Sequence, residues 1–144
     1  MAQNRQPIWT KEPNLGTGNN TTMAPTLTTA AADVTGVNAN NLLVLTGSPD
    51  DTYVTGLRFK PLGTNVATVA RIYLNNGATN TTAGNNELIG EVSLPATTAS
   101  SVAATVEVPW YWGELLNTGW CLYVGLGTTV AAGWRVTKMD ARNY

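Results

Sequence analysis

Apolar and polar positions alternate along most of this chain, and the clearest case lies between Gly56 and Gly77. Leu57 and Phe59 fall on one side of an extended segment, with Arg58 and Lys60 on the other. Ala70, Ile72 and Leu74 then share a side, and Arg71 and Tyr73 point the opposite way. A period of two with one apolar and one polar face predicts half-buried antiparallel strands. Pro61 has no N–H for a ladder and predicts the end of the first strand, while Asn75-Asn76-Gly77 predicts the turn after the second. The same reading predicts strands over 26–30, 41–46, 53–60, 67–75, 87–94, 102–108, 120–126 and 133–139. Turn signals such as Gly47-Ser48-Pro49-Asp50-Asp51, Pro95 and Asn117-Thr118-Gly119 separate them. Leu88, Val92 and Leu94 oppose Glu91 and Ser93, and Val102, Ala104, Val106 and Val108 oppose Thr105 and Glu107. The continuous apolar run at 42–45 predicts a strand covered on both sides. Helices have only two short candidates, one turn within 33–40 and the segment 110–116, which suits a loop equally.

About eight short strands with regular turns predict an all-β fold, an antiparallel β-sandwich or small barrel spanning residues 26–144. Residues 1–25 break the pattern. They are polar, carry Pro7, Pro13 and Pro25, and show strand character only at Ile8-Trp9-Thr10. Such a stretch cannot offset its own ordering entropy, which predicts a disordered tail or an extended N-terminal arm that lies on something else. Ile8 and Trp9 favour the arm. The C-terminal Tyr144 is a second candidate docking residue beside a frayed end. The low-complexity segment 77–86 predicts a long polar hairpin tip.

Composition narrows the chemistry. With 144 residues the chain can bury one core without staples. Charged residues make up 12% of it, against about 25% in an ordinary domain, so Thr, Asn, Ser and Gly must supply the polar surface. A net charge of -1 gives no electrostatic case for nucleic acid. The single cysteine, Cys121, excludes an intrachain disulfide and a Cys-based metal cluster, and its apolar surroundings predict a small buried strand residue. There is no histidine, which removes the commonest general base and metal ligand together. The opening MAQNRQPIWTKEPN lacks the apolar region of a signal peptide, and no run of about 18 apolar residues predicts a membrane span. The expectation is a soluble protein folded in a reducing cytoplasm.

No catalytic constellation emerges, and no cofactor or metal site is expected. Glu91 and Glu107 occupy predicted solvent faces, and Glu87 joins neither of them in a cleft that would perturb a carboxylate. Asp50-Asp51 lacks the spaced acidic ligands of a calcium loop and predicts a turn. Gly125-Leu126-Gly127 lacks the third glycine and the helix of a dinucleotide fingerprint. The aromatic residues are more informative: five Trp and five Tyr against one Phe favour rings with a polar handle. Trp110, Tyr111 and Trp112 stand side by side after Pro109, and in an extended segment at least one of them must be exposed. They suit a core plug, a protein interface or a carbohydrate-stacking platform. Trp120 and Trp134 alternate with Leu122, Val124 and Val136 and are expected in the core.

At 62–69 (LGTNVATV), 72–77 (IYLNNG), 91–95 (EVSLP) and 127–137 (GTTVAAGWRVT) the sequence resembles small structural proteins encoded in tailed-phage and prophage virion modules. The likeness runs in order over residues 55–137 and leaves out the N-terminal arm. The resemblance implies a jelly-roll-like cement or decoration protein on the exterior of a virion capsid, made in the bacterial host cytoplasm. Its implied partners are the major capsid protein and copies of itself, as dimers or trimers, with no nucleic acid or membrane. No catalytic residues come with it. Ile8, Trp9, Trp110, Tyr111, Trp112 and Tyr144 are the expected partner-binding residues. A phage tail receptor-binding head or carbohydrate-binding module is the rival expectation.

Overall fold

Most of the long strands find a partner in a distant part of the chain. The computed structural model describes residues 12–13, 24–31 and 33–143. Its strands are β1 (Glu12–Pro13), β2 (Thr26–Leu27), β3 (Leu42–Thr46), β4 (Thr52–Pro61), β5 (Thr68–Asn75), β6 (Asn86–Leu94), β7 (Val108–Leu116), β8 (Cys121–Leu126) and β9 (Trp134–Asn143). One antiparallel sheet runs β1-β9-β4-β7, with β2 pairing further along β9; the other runs β3-β8-β5-β6. Among the described residues there is no α-helix, and Ala83–Asn85 forms a single 3₁₀ turn. The fold is therefore all-β, two antiparallel sheets packed face to face. Glu12 and Pro13 pair with Asn143 and Arg142, which places this short piece of the predicted arm beside β9.

The core lies between the sheets. Val54, Leu57, Phe59, Trp134 and Val136 from one sheet meet Val44, Ala70, Ile72, Leu122, Val124 and Leu126 from the other, all fully buried. Leu57 and Phe59 point inward while Arg58 and Lys60 stay exposed, as the alternation predicts. Trp134 is wholly buried and Trp120 is half-buried against the core. In β4 the inward positions slip by one residue between Val54 and Leu57. Across the ladder, Asp140 adopts φ 47, the kind of local break that bends a strand pair.

Four expectations change. The predicted strand over 102–108 is a loop up to Glu107, and the strand begins at Val108 and runs through 110–116, where a helix or loop was expected. Two forces decide this. Ser100 Oγ accepts the backbone N–H groups of Val102 and Ala103 at 3.2 and 3.1 Å, a local turn that competes with a ladder. Trp110 and Trp112 also cover more apolar surface beside β4 than Ala104 and Val106 would. The segment 33–40 holds no helical turn. Asp33 Oδ1 instead accepts the N–H groups of Thr35 and Gly36 at 2.8 and 3.0 Å, closing a side-chain turn. Desolvation pulls the Asp33 carboxyl upward, but these hydrogen bonds outweigh it and hold the group below the usual carboxylate range. The turn also covers Tyr73, which is buried rather than solvent-facing and donates its hydroxyl to the Asp33 carbonyl at 2.8 Å.

At one end of the sandwich a single side chain ties three loops. Asn65 is buried; its Oδ1 accepts the N–H groups of Ala132 and Gly133 at 2.9 and 2.8 Å, and its Nδ2 donates to the Gly133 carbonyl at 3.1 Å. Its backbone exchanges hydrogen bonds with Thr97, which anchors the β6–β7 loop. Replacing the side chain leaves two buried N–H donors unmatched. Asn65→Ala is expected to lower the unfolding free energy by about 1–3 kcal/mol, measured by urea denaturation.

Candidate functional site

Three surfaces stand out, and β7 carries the first. It is the edge strand of its sheet, paired only with β4, and the Trp110-Tyr111-Trp112 triplet lies at its middle. Alternation splits the triplet. Trp110 stands opposite the buried Leu57, and Trp110 and Trp112 stack at 6.3 Å between ring centroids and 18° between planes. Both are half-buried against the core. Tyr111 points the other way and is 71% exposed. Thus the two tryptophans plug the side of the sandwich while the tyrosine is free on its outer face. Three rings on one side, as a sugar platform would need, do not form.

The plug depends on a gap in the opposite sheet. A Cβ built at Gly90 of β6 would lie 2.4 Å from Trp110 Nε1, so the indole rests where any other residue would stand. A glycine inside a strand pattern signals such a close approach, and Gly90 within 86–94 was the available clue. Beyond the tryptophans, Gly113 takes φ 75 where the β4 register shifts between Val54 and Gly56. This bulge and Pro109 blunt an otherwise open edge against uncontrolled strand pairing.

The second surface is the loop end above Asn65. Val102 is 95% exposed, and Val106, Val66 and Leu62 are exposed beside it in sequence or through the Asn65–Thr97 bridge. Pro95, Thr97, Ala104 and Val106 line a shallow depression of about 260 Å³ in the β6–β7 loop. The third surface is the outer face of the β4–β9 ladder. There Arg58, Lys60, Glu107, Arg135, Thr137 and Lys138 surround an open depression of about 480 Å³.

Other candidate residues fall outside any site. Ile8, Trp9 and Tyr144 lie outside the described residues. Glu91 is paired with Arg71 at 2.9 Å and Glu107 with Arg58 at 3.5 Å, both at the surface. Asp51 Oδ1 accepts the Thr118 N–H at 2.7 Å, which fixes the β3–β4 turn. Among the described residues no group of three or more His, Cys, Asp and Glu side chains could hold a metal ion. No helix of the described residues is long and apolar enough to cross a membrane. Cys121 is a half-buried free thiol on β8. Comparison with protein-family models, with curated proteins and with solved structures finds no match to this chain.

Lys138, opposite Leu57 on the ladder, is 6% exposed, and desolvation lowers its amine from 10.5 to about 8. Between those values the unfolded chain holds the proton that the folded one has released, so stability rises with pH there. The Tyr73 and Tyr123 hydroxyls, raised by desolvation from 10.0, act in the opposite sense only above about pH 10. Unfolding free energy is therefore expected to climb between pH 8 and 10 in the native protein and to stay flat in Lys138→Met, read from urea titrations across that range. The tryptophan plug gives a separate test. Gly90→Ala should displace Trp110, lower stability by about 1–3 kcal/mol and weaken the near-ultraviolet circular dichroism of the indoles.

Proposed function

We propose that this chain is a jelly-roll decoration protein that binds the outer surface of a tailed-phage capsid and stabilises the head. The observation that carries the reading is strand order. Taking β2 to β9 as the eight strands of the motif, β2-β9-β4-β7 opposite β3-β8-β5-β6 fits the wiring of two interlocked Greek keys, an arrangement found in viral capsid and lectin domains. The sequence resemblance to phage virion proteins points to the capsid branch of that class. The reading assigns no catalytic step and no cofactor, in keeping with a chain that lacks histidine.

Exposed apolar side chains at the loop end, led by Val102 and Val106, suit contact with the major capsid protein. Tyr111 and Leu115, both exposed on β7, suit contact with a second copy at a shell symmetry axis. Weak contacts repeated over a shell sum to strong attachment. The rival tail or carbohydrate-binding reading keeps Tyr111 as its support and loses the two tryptophans, which pack inward.

Cryo-electron microscopy of the particle whose genome encodes this chain tests the proposal. Density for the sandwich at local symmetry axes on the outer shell is the expected result; density at the tail alone would overturn it. Val102→Asp with Val106→Asp should keep the fold, since both side chains are solvent-facing, and strip the protein from the shell.

A further inference from the structure

The outer faces of the two sheets treat their charges differently. On β5 and β6, Arg71 and Glu91 are direct cross-strand partners and close an ion pair at 2.9 Å. On β4 and β9, the direct partners Lys60 and Arg135 carry the same charge. Opposed cross-strand side chains sit about 4.5–5.5 Å apart at Cβ, and like charges in that position destabilise a ladder. Neither Lys60 nor Arg135 has an ion-pair or hydrogen-bond partner among the described residues. Arg58 lies next to them on the same face and the buried Lys138 also lines the depression, so four of the eight basic residues of a chain with net charge -1 meet there.

Glu107 shows what the depression accepts. Among the described residues it is the only carboxylate on the lining; it stands just before β7, and its Oε1 reaches Arg58 at 3.5 Å. Both members of that pair are exposed, at 44% and 41% of their side-chain surface, so an incoming carboxylate can replace Glu107. Among the described residues, one carboxylate against the exposed Arg58, Lys60 and Arg135 and the buried Lys138 leaves the face positive.

We propose that the depression between β4 and β9 binds an acidic peptide segment of a protein partner, its carboxylates bridging Lys60 and Arg135 and displacing Glu107 from Arg58. A protein carboxylate fits better than a nucleic acid. The depression, about 480 Å³, holds a few residues and does not extend into the basic track that a nucleic-acid backbone needs. Arginine forks match carboxylates in a bidentate geometry, and a concave face strengthens the pairing over a flat one. This inference stands apart from the decoration reading, because it concerns the isolated protein.

The test is a calorimetric titration of the purified full chain with hexaglutamate at low salt. Saturable one-to-one binding is expected, weakened at least tenfold by Lys60→Gln with Arg135→Gln. Both side chains are exposed, and removing a like-charge pair should leave the fold intact, which circular dichroism checks. Glu107→Gln should tighten binding several-fold, while Glu87→Gln on β6, the same change in net charge, should leave it unaltered. Absence of saturation would overturn the proposal, as would equal binding by the double variant or equal tightening by Glu87→Gln. A decathymidylate that binds more tightly than hexaglutamate would overturn it in favour of a nucleic acid.

Discussion

The β4–β9 ladder is the constraint on which the rest of the molecule depends. It joins residues 52–61 to 134–143 in nine registered pairs, from Thr52 opposite Asn143 to Pro61 opposite Trp134. Nothing local in the chain favours that contact; about eighty residues separate its partners, and their loop-closure entropy must be offset by burial. The offset comes from Leu57, Phe59, Trp134 and Val136, which turn one face of the ladder into the floor of the core. Once β4 and β9 are paired, β7 can only add at the free side of β4, while β1 and β2 add along the free side of β9. The same alternation that sends Phe59 inward sends Lys60 outward, so the core and the cationic face come from one set of registers.

A two-sheet fold has open sides where the sheet edges meet solvent, and this chain treats one of them with care. On the β6–β7 side, Trp110 and Trp112 fill the gap between the sheets, and Gly90 is the backbone position that lets an indole approach. The register slip near Gly113 and the missing donor of Pro109 then limit what can pair with β7 from outside. A blunted edge with an exposed Tyr111 favours side-chain contact with a neighbour over strand addition.

Much of the strand pattern was legible because burial follows a period of two. Leu57 against Arg58, and Val124 against Tyr123, announce their faces without any tertiary knowledge. The loop at 95–107 was not legible, since Val102, Ala104 and Val106 alternate as a strand does, and only the Ser100 turn and competition from the aromatic segment exclude it. Tyr73 misled for a related reason. Its polar face is real, but the Asp33 turn folds over it and supplies a partner for the hydroxyl. The aromatic triplet was legible as a site of interest and not as a geometry, because 110–116 read as a helix or loop rather than as the strand whose alternation separates Tyr111 from its neighbours. The cation cluster was invisible for the opposite reason. Lys60 and Arg135 are seventy-five residues apart, and no charge run in the sequence announces that they stand face to face.

That juxtaposition matters more here than in an ordinary surface. A chain with 12% charged residues has few cations to distribute, and random placement would scatter them. Arg71 shows the stabilising arrangement, directly across from Glu91, on the outer face of the other sheet. Placing Lys60 opposite Arg135 forgoes the same opportunity at a pair of exposed positions. A like-charge pair between exposed side chains costs only a few tenths of a kcal/mol, within reach of what a partner's carboxylate returns when it binds. The ladder that holds the fold together thus also sets two like charges face to face, an arrangement that a partner's carboxylate would relieve.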